Sequence, residues 1–190
     1  GARFRPVMLA HPLEDAEMPR LAAGDFAAEW NWDGVRVQAA AENGDRRLFS
    51  RAAEDISGAL PDVNAHLGFN AVIDGELLVR RPDGGVAPFN DVQQRLNRKT
   101  VDANLLARFP AFIRAYDLLA LDGEDLRALP FAQRRARLEA FVPLAGPAVD
   151  LSPLIQAETW EALAALRAAP PEAAAVGLML KRWDSAYAHG

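Results

Sequence analysis

From position 32 to 40 the chain alternates. Val35 and Val37 fall on one side, Arg36 and Gln38 on the other, which is the period of a half-buried strand. Glu42-Asn43-Gly44-Asp45 makes a tight turn, with Asn-Gly suited to positive φ. Residues 47–51 return as a second strand, so the pattern predicts a hairpin that opens on Trp32-Asp33-Gly34 and ends at Ser50-Arg51. Residues 71–79 predict a strand broken by Asp74-Gly75-Glu76, and 112–121 an apolar strand holding Tyr116-Asp117. Gly177-Leu178-Met179-Leu180-Lys181 predicts a last buried strand.

Helical signals lie between these runs. A short helix is expected over 62–67. Asn90 caps another that runs through Val92 and Leu96 to about Arg98. Pro130 opens a third to Phe141, with Arg134, Arg135 and Arg137 mostly on its polar side. A fourth covers 159–168, with Trp160, Leu163 and Leu166 at helical spacing and Pro170-Pro171 as its stop. Residues 3–12 carry two prolines and read as extended, and 21–28 is a short ambiguous segment. Pro82-Asp83-Gly84-Gly85 and Asp122-Gly123-Glu124 are turns. No repeat or low-complexity tract interrupts the chain. The expectation is one α+β domain, with antiparallel sheets carrying the polar clusters and helices packed outside.

Composition narrows this only slightly. The 190 residues are 51% hydrophobic and 25% charged, ordinary for a globular domain. The absence of cysteine excludes disulfides, thiolate metal sites and cysteine nucleophiles. No apolar run approaches the roughly 20 residues of a membrane span, and no charged-then-apolar leader opens the sequence, so a cytoplasmic protein is expected. A net charge of −5 argues against a free-standing non-specific nucleic-acid binder. Lysine occurs only at Lys99 and Lys181.

The candidate chemistry begins at Glu29-Trp30-Asn31-Trp32-Asp33-Gly34-Val35-Arg36. By itself Asp-Gly is a common turn. Ser50-Arg51 with Glu54, Asp74-Gly75-Glu76, Tyr116-Asp117-Leu118-Leu119 and Gly177 to Lys181 are each equally weak alone. Together and in this order they resemble the covalent nucleotidyltransferases: ATP-dependent DNA ligases, RNA ligases and mRNA capping enzymes. The stretches 3–13, 88–99 and 122–127 are similar to bacterial ATP-dependent DNA ligases, so the resemblance covers most of the chain and points to their adenylation domain. It implies the DNA ligase/mRNA capping enzyme nucleotidyltransferase fold. It also implies ATP and Mg²⁺ as ligands, nicked double-stranded DNA as the partner of the full-length protein, no membrane association, a monomer, and a bacterial, nucleoid-associated location.

The resemblance also assigns positions. Asn31 stands where the family has its nucleophilic lysine. Glu29 is expected near the base edge and Tyr116 stacked on adenine. Arg36, Arg51 and Lys181 are expected near ribose and phosphate, and Glu76 near ribose or metal. Val176 stands where the family has a metal-binding glutamate. An amide nitrogen with a delocalised lone pair is not a nucleophile, so the lysyl-AMP intermediate is expected to be lost. The chain also ends at Gly190, before the family's closing Lys-x-Lys strand, so the expectation is an adenylation domain over 1–190, truncated before its final strands. The family's flanking DNA-binding and oligonucleotide-binding-fold domains are expected to be absent. Arg95, Arg98 and Lys99 are candidates for contact with the DNA backbone. The alternatives are a nucleotide- or DNA-binding module without covalent chemistry, and an RNA ligase or capping-type enzyme.

Overall fold

The computed structural model describes residues 1–7, 11–12 and 22–187. In chain order its strands are β1 (His11–Pro12), β2 (Phe26–Trp32), β3 (Val35–Glu42), β4 (Asp45–Ser50) and β5 (Ala71–Val79). They continue as β6 (Ala111–Leu121), β7 (Glu124–Asp125), β8 (Val149–Leu151), β9 (Leu154–Ile155) and β10 (Ala175–Arg182). The helices are α1 (Pro61–Ala65), α2 (Phe89–Leu96), α3 (Ala103–Arg108), α4 (Phe131–Phe141) and α5 (Trp160–Arg167).

The strands form two sheets. One has the order β1-β10-β2-β9, antiparallel throughout. The other has the order β4-β3-β5-β6-β7, with β8 parallel to β6. The class is α+β, as the alternating patterns predict.

Strand alternation sorts the larger sheet's side chains. Val37, Ala39 and Ala41 of β3, Ile73, Leu77 and Val79 of β5, and Ile113 and Leu118 of β6 pack into the main core with α1, α2 and α4 residues such as Val63, Val92 and Leu138. The opposite face therefore carries Arg36, Gln38, Asp74, Glu76 and Tyr116. Antiparallel register puts Arg36 opposite Glu76 and Gln38 opposite Asp74. The predicted division of Val35 and Val37 from Arg36 and Gln38 is what the sheet uses.

Several expectations change. The predicted hairpin forms, β3 pairing antiparallel with β4 from Val37 opposite Ser50 to Glu42 opposite Asp45, but the signature straddles its start: β2 ends at Trp32 in one sheet and β3 starts at Val35 in the other. Asp33-Gly34 is thus the hinge between sheets, and its Asp33 N–H donates to the Ala174 carbonyl at 2.8 Å. A Cβ at Gly34 would lie 2.4 Å from the Leu77 carbonyl oxygen and 2.6 Å from Leu78 Cδ2, so glycine is required by close approach to β5. Asp74-Gly75-Glu76 does not break its strand either. β5 is continuous, and the irregularity is a register shift against β6 at Asp74/Gly75. A Cβ at Gly75 would meet the Arg114 carbonyl oxygen at 2.7 Å.

The ambiguous 21–28 segment resolves into a single 3₁₀ turn at Ala23–Asp25 and the start of β2. Of the extended 3–12 segment, His11–Pro12 pairs with β10, and 8–10 lie outside the described residues, as does position 21. Helix α2 stops at Leu96, two residues short of the expected end. Helix α3, capped by the Asp102 carboxylate at 2.8 Å from the Leu105 N–H, was not foreseen from the pattern.

Arg134 and Arg135 are 0% and 4% exposed, contrary to their assignment to a polar helix face. Arg134 bonds Asp117 through Nε at 2.8 Å and Nη2 at 3.1 Å. Arg135 donates to the Ser152 carbonyl at 2.9 Å. Buried acceptors from other strands, invisible to helical periodicity, turn that face inward.

Candidate functional site

A pocket of about 200 Å³ opens between the two sheets. The small sheet contributes Glu29, Trp30, Asn31 and Trp32 from β2, and Met179 and Lys181 from β10. The large sheet contributes Arg36, Glu76 and Tyr116, with Arg51 just past β4 and Tyr187 from the segment after β10. Every residue expected at the nucleotide site is therefore in one pocket. Val176 is not in its lining.

The floor of the pocket is charged and buried. Lys181 Nζ lies 3.8 Å from Glu29 Oε2 and 3.6 Å from Asp117 Oδ2, and donates to the Tyr116 carbonyl at 3.3 Å. It also sits 4.8 Å from the ring centroids of Tyr116 and Phe131, a cation–π arrangement. Glu29 is 4% exposed, and Arg135 Nη1 lies 3.5 Å from its Oε1. Burial raises the Glu29 pKa, with Lys181 and Arg135 opposing the rise.

On the facing wall Arg36 Nη2 donates to Asp74 Oδ2 at 2.9 Å and to the Tyr187 hydroxyl at 3.3 Å. The Arg36 guanidinium stands 5.7 Å from the Tyr116 ring centroid. Burial opposes its charge, but Tyr116, Asp74 and Tyr187 outweigh that and raise its pKa further. Glu76 is pushed up to about 7 by burial, with Arg36 and a hydrogen bond from the Gly34 N–H working against the shift. Burial also raises the Tyr116 phenol well above its ordinary value, so it stays neutral.

Two lining residues, Asn31 and Arg51, are exposed. Asn31 is exposed on β2, on the same face as Glu29 two residues earlier, and pairs with Gly177 of β10. Arg51 is exposed in the loop where Ser50 Oγ accepts from the Glu54 N–H at 3.3 Å. That loop holds Ala53 at φ 64°.

Several buried polar atoms at this pocket have no hydrogen-bond partner. They are Glu29 Oε1 and Arg36 Nε; Trp32 Nε1 is also without one, on a ring packed against Leu78, Val86 and Phe112. Orphaned buried groups are costly unless a ligand or water meets them, and Glu29 and Arg36 both line this one cavity. Three cations, an aromatic ring and a buried acceptor suit an anionic ligand with a flat polar ring. Among the described residues no three carboxylate, imidazole or thiol groups come together to hold a metal.

One expectation is corrected. Arg95 is not available to DNA: it is fully buried, paired with Asp62 at 2.7 and 3.0 Å and donating to the Ala59 and Phe109 carbonyls. Helix α2 turns it inward, where those acceptors compensate its charge. Arg98 and Lys99 are exposed just beyond that helix. Val176 occupies the register shift between Ala175 and Gly177, and is 57% exposed. The sequence reading missed Trp30, Trp32, Met179 and Tyr187 as lining residues. The alternation of Met179 with Lys181 was the available signal for Met179. No local signal marks Tyr187.

The comparisons with known proteins agree with this geometry. A family model described as the ATP dependent DNA ligase domain matches residues 7–190. The chain is 37% identical over 140 residues to a probable DNA ligase of Anaeromyxobacter sp. (strain Fw109-5), covering 72% of this chain and 27% of that protein. It is 33% identical over 193 residues to a DNA ligase of Methanothrix thermoacetophila, covering 98% of this chain and 34% of that protein. The crystal structure of the ligase domain from M. tuberculosis LigD superimposes with a TM-score of 0.74 at 29% identity, over 97% of this chain and 56% of that one. A mycobacterial DNA ligase D complexed with ATP and MES gives 0.73 at 29% identity, with the same coverage. The chain thus spans about a third or less of the curated relatives it matches. With a matching family model over nearly its whole length and the same two-sheet fold, the chain belongs to the ATP-dependent DNA ligase domain family.

Proposed function

We propose that this chain is the adenylation domain of an ATP-dependent DNA ligase, able to bind ATP but unable to form the covalent enzyme–AMP intermediate. The observation that carries the reading is the gathering of Glu29, Asn31, Arg36, Arg51, Glu76, Tyr116 and Lys181 around one inter-sheet pocket. Tyr116 offers a ring for adenine to stack on. Glu29 Oε1, which accepts no hydrogen bond and has Arg135 Nη1 3.5 Å away, offers an acceptor for an exocyclic amine. Arg36, Arg51 and Lys181 offer positive charge to ribose and phosphates. A bound magnesium ion would be held by Glu76, the lining carboxylate that suits it as a hard oxygen ligand, and would supply charge neutralisation on the phosphates.

Asn31 stands at the position of the nucleophile. A lysine amine attacks a phosphorus and forms a phosphoramidate that can leave again. The Asn31 amide can only donate and accept hydrogen bonds. Lys181, the nearest amine, is committed to Glu29, Asp117 and Tyr116. The covalent route is therefore closed, and pocket binding remains.

The wider reading follows the family. The full-length protein acts on nicked double-stranded DNA as a monomer in the bacterial cytoplasm, at the nucleoid, with DNA-binding and oligonucleotide-binding-fold domains supplied outside this stretch. Arg98 and Lys99 are the candidate contacts to the DNA backbone here. The DNA ligase family match weighs against the RNA ligase and capping-type alternative. The non-covalent module remains as a second reading, because the residue at the nucleophile position is Asn31.

Intact mass after incubation with ATP and Mg²⁺, beside an ATP titration, tests these readings. The expected result is no AMP adduct, with micromolar ATP binding. An adduct on this chain overturns the loss of covalent chemistry. No ATP binding overturns the live pocket.

A further inference from the structure

Residues 183–187 are strapped onto the start of α4. The Phe131 N–H donates to the Ser185 carbonyl at 2.8 Å and the Ala132 N–H to the Trp183 carbonyl at 2.9 Å. These are donors that a helix N-terminus leaves without intrahelical partners, and the strap satisfies them. Arg134 Nη1 adds a 2.9 Å bond to the Ser185 carbonyl, and the Phe131 and Trp183 rings lie 5.8 Å apart. The Tyr187 N–H donates to the Arg127 carbonyl at 2.8 Å. The strap so held delivers the Tyr187 ring, 8% exposed, against Ala40, Phe49, Val72 and Leu119 on the polar side of the large sheet.

The tyrosine hydroxyl ends inside a buried polar chain. It donates to Asp74 Oδ2 and accepts from Arg36 Nη2 at 3.3 Å. Asp74 is 0% exposed and also accepts from Gln38 Nε2 at 3.1 Å. Gln38 exchanges two hydrogen bonds with the Arg5 backbone, at 2.6 and 2.9 Å. Arg36 enters the pocket from this cluster with its Nε still unpartnered. Long guanidinium side chains lose much rotamer freedom when they meet a ligand. A partner that fixes Arg36 beforehand lowers that cost.

We propose that Tyr187 is a positioning residue for the nucleotide: its hydroxyl, anchored on Asp74, fixes the Arg36 guanidinium in the pocket, so docking of the 183–187 strap and nucleotide binding are coupled. This rests on the reading of the pocket as an ATP site. Tyr187 does not touch the reacting atoms in this account; it acts through Arg36.

The test is a double-mutant cycle on the whole chain with Tyr187→Phe, Arg36→Met and both together, read by ATP titration with Mg²⁺ and by thermal melting without nucleotide. Phenylalanine keeps the packing and removes only the hydroxyl. Tyr187→Phe should weaken ATP binding about 5-fold, the equivalent of one hydrogen bond. In the Arg36→Met background the same change should alter it less than about 2-fold. An equal loss in both backgrounds, or no loss in either, overturns the proposal. If the parent chain binds no ATP, the pocket reading fails, and the melts judge the Tyr187–Arg36 link separately. Non-additive melting temperatures support it, and additive ones overturn it.

Discussion

Glu29 and Lys181 face each other across β2 and β10, 3.8 Å from Oε2 to Nζ, with side chains only 6% and 7% exposed. A buried lysine is costly unless paired, and here Glu29 and Asp117 pair it from two sides. Glu29→Gln keeps the shape and removes one charge. It should cost about 1–3 kcal/mol of stability, because the amide sets N–H donors against the Lys181 and Arg135 donors and leaves buried groups unsatisfied. Chemical denaturation of both chains measures it. An unchanged midpoint would show that the pair contributes nothing to the fold.

On the proposed reading of position 31, a lysine there should supply the first chemical step. Asn31→Lys is expected to gain a single AMP in the intact mass after incubation with ATP and Mg²⁺, whereas the parent gains none. Val176 lies outside the pocket lining, so Val176→Glu added to Asn31→Lys should change the yield little. A variant pair in which only the double substitution is labelled would contradict the outward placement of position 176.

Glu76 sets a pH dependence. Its folded pKa is raised to about 7 from an ordinary 4.5, so the folded state holds the proton more tightly than the unfolded chain. Its contribution is fully present below about pH 4.5 and is lost as pH rises through about 7. Glu29, also raised, adds to the same slope. Glu76→Gln should flatten the fall in stability between those values by at most about 3 kcal/mol. Denaturation midpoints from pH 4.5 to 7.5 decide it. Identical slopes for the two chains would refute the raised pKa.

The inter-sheet hinge should tolerate no side chain. Gly34→Ala places a Cβ within 2.4 Å of a backbone oxygen, so β3 must move off β5. A loss of about 2 kcal/mol or more is expected. By contrast Gly24→Ala, with nothing within 4 Å, should be nearly neutral. Equal melting temperatures for the Gly34→Ala variant and the parent would remove the steric argument.

The two arginines at the end of α2 should part company. Arg95→Met breaks a buried pair with Asp62 and should cost about 3–5 kcal/mol, as melting will show. Arg98→Gln and Lys99→Gln should leave stability within about 0.5 kcal/mol. Each should reduce the salt dependence of nicked-DNA binding by about one unit of slope in the full-length protein. An unchanged slope would assign both residues to a solvated surface.

Much of this was legible in the sequence because it is local. The alternation of Val35, Arg36, Val37 and Gln38 sets the two faces of β3 from a period of two. Asn43-Gly44 makes its turn with both residues at positive φ, 53° and 84°. The order of the motif elements pointed to the family, since each is a short run of residues. The strand β2 before the signature was missed, because Ala27 and Ala28 carry little pattern and its pairing partner lies 150 residues away in β10.

By itself the sequence determined the strand-rich α+β class, the set of polar positions, and that position 31 carries an amide, Asn31. Those depend on near neighbours and on side-chain chemistry. Only the tertiary structure decided that Arg134 and Arg135 face inward, that Arg95 is a buried brace, that Val176 is exposed outside the pocket lining and that Tyr187 belongs to that lining. Each of those depends on acceptors or surfaces brought from distant strands, and the cost of burying a charge is met only where such partners arrive.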